Sequence, residues 1–172
     1  LEIITGLWST PVGETYSKPG GQYPVTDSPA LPKPAQAQVP VVVGGGGPVR
    51  TPRLAARYAS EFNTPFLSLS GFQAQRERVI AACEAIDRDP GTMTFSGALV
   101  LCVGEIEEEF TRRASAIGRE PDELRENGVA GLPEEAAEKV QTWNEGGADR
   151  LFLQVLDLSD LDQLDLAATV LG

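Results

Sequence analysis

From Gln38 onward, short apolar runs alternate with stretches in which apolar residues recur every three or four positions. The first run, Gln38 to Val43, is β-branched and apolar on both faces, which predicts a parallel strand covered on both sides. It ends in Gly44-Gly45-Gly46-Gly47. Thr51 then serves as the expected N-cap and Pro52 as the first residue of a helix carrying Leu54, Ala55, Tyr58 and Ala59 on one side. Glu61 to Phe66 predicts a second strand, and Phe72 to Asp87 a helix with Val79, Cys83 and Ile86 at i, i+4 and i+7. Thr92 to Val103 is the longest apolar run and predicts a third strand. Glu105 to Ile117 follows as a helix aligning Ile106, Phe110, Ala114 and Ile117. Pro121 to Arg125 predicts an extra helical turn within the segment 120–131. Pro133 opens a helix through Trp143, closed by Gly146-Gly147. Arg150 to Val155 is the fourth strand and Leu161 to Leu171 the last helix. Four strands alternating with helices specify βαβ construction around a parallel sheet.

The amino-terminal part reads differently. Leu1, Ile4 and Trp8 have helical spacing with no capping residue ahead of them. Ser9 to Pro40 carries seven prolines in 32 residues, which exclude a regular helix or an interior strand. Tyr16, Tyr23, Leu31 and the extended Ala30-Leu-Pro-Lys-Pro34 suit an ordered excursion lying against a scaffold. The chain starts at Leu1 and its only methionine is Met93, so the expectation is a piece cut from inside a larger fold.

Composition narrows the chemistry. The 172 residues include no histidine, so imidazole bases, Ser-His-Asp and Cys-His systems and His-ligated zinc are excluded from this polypeptide. The two cysteines, Cys83 and Cys102, lie in apolar patterned segments and read as buried reduced thiols of a cytoplasmic protein. A net charge of −11 without a basic stripe argues against a nucleic-acid partner. No apolar run approaches the ~20 residues of a membrane span, so no membrane partner is expected either.

The glycine run has two physical readings. Its glycines let the backbone approach a ligand and turn N–H groups inward beside a helix start, making an anion cradle. Alternatively they only make a tight strand-to-helix turn. Arg50 and Arg53 would add charge-assisted contacts in the first reading and be solvated in the second. Asn63 and Gln154, polar groups at strand ends, could bond a ring edge or satisfy local backbone. Glu105, Glu107, Glu108 and Glu109 read as a solvated helix start favoured by the macrodipole. Asp157, Asp160, Asp162 and Asp165 lack the glycine and glutamate of a calcium loop, and Asp160 reads as the cap of the last helix. No metal site and no catalytic side chain is identified.

The stretch Pro40 to Asn63 (PVVVGGGGPVRTPRLAARYASEFN), together with LEIITGLWSTPVGETYS, GQYPVTDSPALPKPAQ and ADRLFLQVLDLSDLDQL, resembles the C-terminal half of luciferase-like flavin- or deazaflavin-dependent oxidoreductases, and most of all the class using coenzyme F420. The resemblance runs in order over essentially the whole chain. It implies an α/β fold, the second half of a TIM (β/α)8 barrel: one partial domain over residues 1–172 supplying strands five to eight, with 9–40 as the family's insertion. The cofactor side would lie at the C-terminal strand ends. There Gly44, Gly45, Gly46, Gly47, Arg50, Thr51, Asn63 and Gln154 become the candidate cofactor-binding residues. The implied parent enzyme transfers a hydride between coenzyme F420 and a small-molecule organic substrate. FMN-dependent monooxygenation is the alternative, and a non-catalytic half-barrel interaction subunit the third reading. Two exposed sheet edges predict association with an N-terminal half barrel or a second copy, a homo-oligomer.

Overall fold

The computed structural model describes residues 1–171 and shows two compact units, Leu1–Val41 and Val42 onward. In the first unit, α1 (Glu2–Ser9) forms over the expected helical spacing, without a side-chain cap. Despite its prolines, the excursion holds an antiparallel ribbon of β1 (Tyr16–Lys18) and β2 (Val25–Ser28). Two short strands outside any larger sheet tolerate the neighbouring prolines that an interior strand would not. Of the aromatic and apolar residues expected to face a scaffold, Tyr23 and Leu31 stand exposed. Tyr16 instead packs its ring against Gly6, where a Cβ would collide with it, and Lys33 Nζ donates to Leu7 O at 2.8 Å.

The second unit is a parallel sheet flanked by helices. Its strands are β3 (Val42–Gly44), β4 (Glu61–Pro65), β5 (Thr94–Val103), β6 (Val129–Gly131) and β7 (Arg150–Val155). Helices α2 (Arg50–Tyr58), α3 (Leu69–Glu84), α4 (Glu107–Ala116), α5 (Pro121–Asn127), α6 (Pro133–Glu145) and α7 (Leu161–Leu171) connect or follow them. The ten residues of β5 are long enough to pair β4 over 94–98, β7 over 96–101 and β6 over 101–103. The principal strands therefore run β3-β4-β5-β7 as an open arc.

Several expectations are corrected. Strand β3 begins at Val42, because Pro40 cannot donate to a ladder. It is covered on one side only: Val43 is buried while Val42 is 54% exposed. Helix α2 starts at Arg50, with Val49 at the N-cap position and Thr51 inside the first turn. Helix α3 starts three residues early because Ser68 Oγ accepts from Gly71 N, a cap the apolar spacing hides, and Ile86 falls beyond its end and is exposed. Ile106 is exposed at the N-cap position of α4 rather than on the core face. Beyond the four expected strands, β6 is a fifth, three residues held as a strand through their pairing with the end of β5.

Register partners in a parallel sheet share a face. One face carries Phe62, Thr64, Phe95, Gly97 and Leu99 and is covered by helices. There, Trp143 of α6 lies so close to Gly97 that a Cβ would come within 2.7 Å of its ring, and the same indole packs on Phe72 of α3 at 5.3 Å. The opposite face carries Val42, Glu61, Asn63, Ser96, Ala98, Val100, Cys102, Phe152 and Gln154. Its upper end is closed by a cluster of Val100, Cys102, Phe110, Ala114, Leu124 and Ala130. Burial there pushes the Cys102 thiol up to about 11, so it stays protonated and inert. Lower down this face is open, with Val42 and Phe152 exposed.

The end of β5 is tied to α4 and α7 by buried polar groups. Arg113 is buried, and its guanidinium donates to Asp160 Oδ2 at 2.8 Å, Asp160 Oδ1 at 3.2 Å and Val103 O at 2.9 Å. Asp160 Oδ1 also accepts from Gln163 N, capping α7 as expected, while Gln163 Oε1 accepts from Val103 N. Two of the first-turn acids are paired rather than merely solvated: Glu109 with Arg113, and Glu107 with Arg125.

Two outcomes follow for urea unfolding. Phe110→Ala should cost about 3–5 kcal/mol, whereas Ile106→Ala should cost less than about 0.5 kcal/mol. The Arg113 hydrogen bonds hold Asp160 below its ordinary value of 3.8. A carboxylate depressed in the folded state contributes stability above its unfolded value and loses it as pH falls through the folded one. Arg113→Met should therefore flatten the loss of stability below about pH 4, and at neutral pH cost about 3–5 kcal/mol by leaving Asp160 unpaired.

Candidate functional site

The strands are parallel, so their carboxyl ends gather the loops that follow β3, β4, β5 and β7 on one side of the sheet. Gly44 is the last residue of β3 and pairs with Asn63, and Gly45 N donates to Asn63 O at 3.2 Å. Gly45 has φ +134, which an L side chain rarely adopts. Gln75, buried in α3, donates through Nε2 to Gly45 O at 3.2 Å and Gly47 O at 3.1 Å. Arg78 Nη1 fixes that amide by donating to Gln75 Oε1 at 2.6 Å.

These bonds turn the carbonyls of the glycine run toward α3. A trans peptide places its N–H opposite its C=O, so the Gly46 N–H points away from the helix layer. A Cβ on Gly46 would meet nothing within 4 Å, whereas one on Gly47 would come within 2.8 Å of Thr51 Oγ1. The run is thus both a tight turn, at Gly45 and Gly47, and an open edge, at Gly46. Arg50 and Thr51 occupy the first turn of α2, whose leading N–H groups lack helical acceptors.

Asn63 does more than satisfy local backbone. Its Nδ2 donates to Ser96 Oγ at 3.0 Å, Ser96 Oγ donates to Glu61 Oε1 at 2.6 Å, and Arg150 Nη1 donates to Glu61 Oε2 at 2.6 Å. This chain crosses three strands on the open face. Sequence reasoning missed Glu61, Ser96 and Arg150, although polar residues sharing one face of an apolar strand, Glu61 with Asn63 and Arg150 with Gln154, carry part of the signal. Gln154 is exposed on the same face, registered beside Val100 of β5. The structure therefore gathers Gly44, Asn63 and Gln154 on one face, with Gly45, Gly46, Gly47, Arg50 and Thr51 at its upper rim. Among the described residues, no side-chain hydrogen bond or ion pair joins Arg53, one turn into α2, to them.

A family model described as luciferase-like monooxygenase matches residues 1–120. The chain belongs to that family. No curated protein matches it. Among solved structures, an F420-dependent secondary alcohol dehydrogenase in complex with an F420-acetone adduct aligns at TM-score 0.78 and 15% identity, over 99% of this chain and 58% of that one. EDTA monooxygenase from Chelativorans sp. BNC1 aligns at 0.72 and 19% identity, over 98% and 56%. Coenzyme F420 dependent tetrahydromethanopterin reductase from Methanopyrus kandleri aligns at 0.67 and 12% identity, over 96% and 58%. The chain spans a little over half the length of these structures, and at such identities the likeness is one of fold. No helix among the described residues is long and apolar enough to cross a membrane.

Ser96→Ala should leave Asn63 Nδ2 and Glu61 Oε1 each short of a partner. The expected loss is about 1–3 kcal/mol, read by thermal or urea unfolding, with no change in secondary structure by circular dichroism.

Proposed function

We propose that this chain forms the cofactor-facing part of an oxidoreductase that transfers a hydride between coenzyme F420 and a small organic substrate. The single observation carrying the reading is the glycine run: its carbonyls are held by Gln75 while the Gly46 N–H edge stays open at the carboxyl end of the sheet. In α/β barrels that end is where the chemistry sits.

The residues present fit a cofactor that joins a flat ring to a phosphate-bearing tail. Gly46, the first turn of α2 and Arg50 offer donors and positive charge to the tail. Asn63 and Gln154 offer amides to a ring edge, and the exposed Phe152 offers apolar surface below them. When bound, the deazaflavin supplies the hydride chemistry. The role of this chain is to bind and orient it. Glu61, Ser96 and Arg150 hold Asn63 in place beneath the ring position.

FMN is the second reading, favoured by the family model itself, whose description is of a monooxygenase. A glycine cradle serves either phosphate tail. Fluorescence titration of the polypeptide carrying this chain with each cofactor discriminates the two, and uptake of neither overturns both. Gly46→Asp puts a carboxylate into the open edge without a steric conflict. It should weaken uptake of the preferred cofactor at least tenfold while leaving the melting temperature unchanged; equal binding would remove the glycine run from the site.

A further inference from the structure

A cleft of roughly 300 Å³ opens beside this face, lined by Phe66, Val100, Arg119, Glu123, Leu124 and Asn127. We propose that it is the substrate subsite, and that it takes a neutral, flat, largely apolar organic group. The inference rests on the cofactor reading above and adds the substrate class to it.

Its position follows from the register. Pro65 at the end of β4 pairs with Ala98, so Val100 lies one step past the end of β4 on the same face, where the covered upper end begins. Val100 is also the register partner of Gln154. Phe66 directly follows β4, three residues after Asn63. The cleft therefore shares the carboxyl end of the sheet with both amides assigned to the ring edge, which puts a molecule in it on the side where the ring would be held.

The walls are built rather than incidental. Phe66 has φ +50, an uncommon conformation for a bulky residue, and its N–H is fixed to Ala98 O at 2.9 Å. Strain of that kind persists only where the surroundings over-determine it, and it clusters at ligand-binding positions. The result is an aromatic ring left 55% exposed at the rim of the cleft. Opposite it, Gly128 brings the end of α5 so close to β5 that a Cβ would come within 2.8 Å of Val100 O.

The ligand class follows from the charges. Arg119 donates to Glu123 through Nε at 2.9 Å and Nη2 at 2.5 Å, so the cation and the carboxylate at the rim satisfy each other. The pair presents no net charge to a ligand. Val100 and Leu124 supply the apolar floor, both nearly fully buried. An anion would need Arg119 released from Glu123, whereas a neutral ring needs no rearrangement.

The test uses 2-naphthol and 2-naphthoate, equal in shape and different in charge, titrated by NMR into the polypeptide carrying this chain, with and without bound cofactor. 2-Naphthol should shift the resonances of Phe66, Leu124 and Asn127 and bind at least tenfold more tightly than 2-naphthoate. Phe66→Gly, which relieves the strained φ and removes the ring, should weaken 2-naphthol at least fivefold while cofactor affinity stays within twofold. Asn127→Trp, filling the cleft from the exposed side of α5, should do the same. Cofactor uptake without 2-naphthol binding, or 2-naphthol binding unaffected by both variants, overturns the cleft. Tighter binding of 2-naphthoate overturns the neutral class. Binding of 2-naphthol by a protein that takes up neither cofactor overturns the redox reading and keeps the cleft as an apolar binding site.

Discussion

The backbone ladder of β5 is the constraint on which the second unit depends. Its ten residues accept β4 along one stretch, β7 along another and β6 at the end. Every polar backbone group buried in a sheet must find a partner, so each of these short strands exists only where β5 offers one. β6, with three residues, has no other reason to be a strand. The helices follow, because α3 and α6 meet across Phe72 and Trp143 over the face that Gly97 leaves low enough for the indole.

The same strand separates a packed upper end from a more open lower face. Beyond the reach of β4, Val100 and Cys102 are buried under α4 and α5, and Val103 is fixed by Arg113 and Gln163. Removing a guanidinium from water is costly, and here the cost is offset by two carboxylates and a carbonyl arranged around it. That rigid upper end places the floor of the cleft at Val100 and Leu124. Lower on β5, Ser96 instead joins Glu61, Asn63 and Arg150 in a chain of hydrogen bonds that orients an amide toward open space. A purely apolar face would bury hydrocarbon there; this one holds polar groups whose hydrogen bonds fix their geometry, Glu61 and Ser96 among them buried.

The glycine run makes the tight turn weighed from its sequence, and one of its glycines takes no part in that turn. Gly45 and Gly47 are needed for the turn, by φ and by the nearness of Thr51, while Gly46 is needed for neither. Its freedom from steric demand is what leaves this edge open, with nothing within 4 Å of where a Cβ would stand. Gln75 decides the direction of the opening, and Gln75 sits in α3, a different βα unit from the run.

Periodicity by itself determined the order of the principal strands and helices, because a period of two and a period of 3.6 are properties of neighbouring residues. It located β5, β7 and α7 almost to the residue, since each is a long or sharply bounded pattern, and it assigned Asp160 to a cap. The resemblance to the family came instead from particular stretches such as Pro40 to Asn63. Periodicity did not reveal β6, the early start of α3 or the exposure of Ile106. Those depend on a partner strand, a serine cap and the exact phase of a helix against its neighbours. The candidate residues Gly44, Asn63 and Gln154 were legible as polar or flexible positions at strand ends. Their companions Glu61, Ser96 and Arg150, up to 89 residues apart, were joined only by register, which no local pattern encodes. The burial of Arg113 and the cleft at Phe66 belong to the same class. Both arise where segments distant in sequence are forced together by the ladder of β5, and only the folded chain decides what they touch.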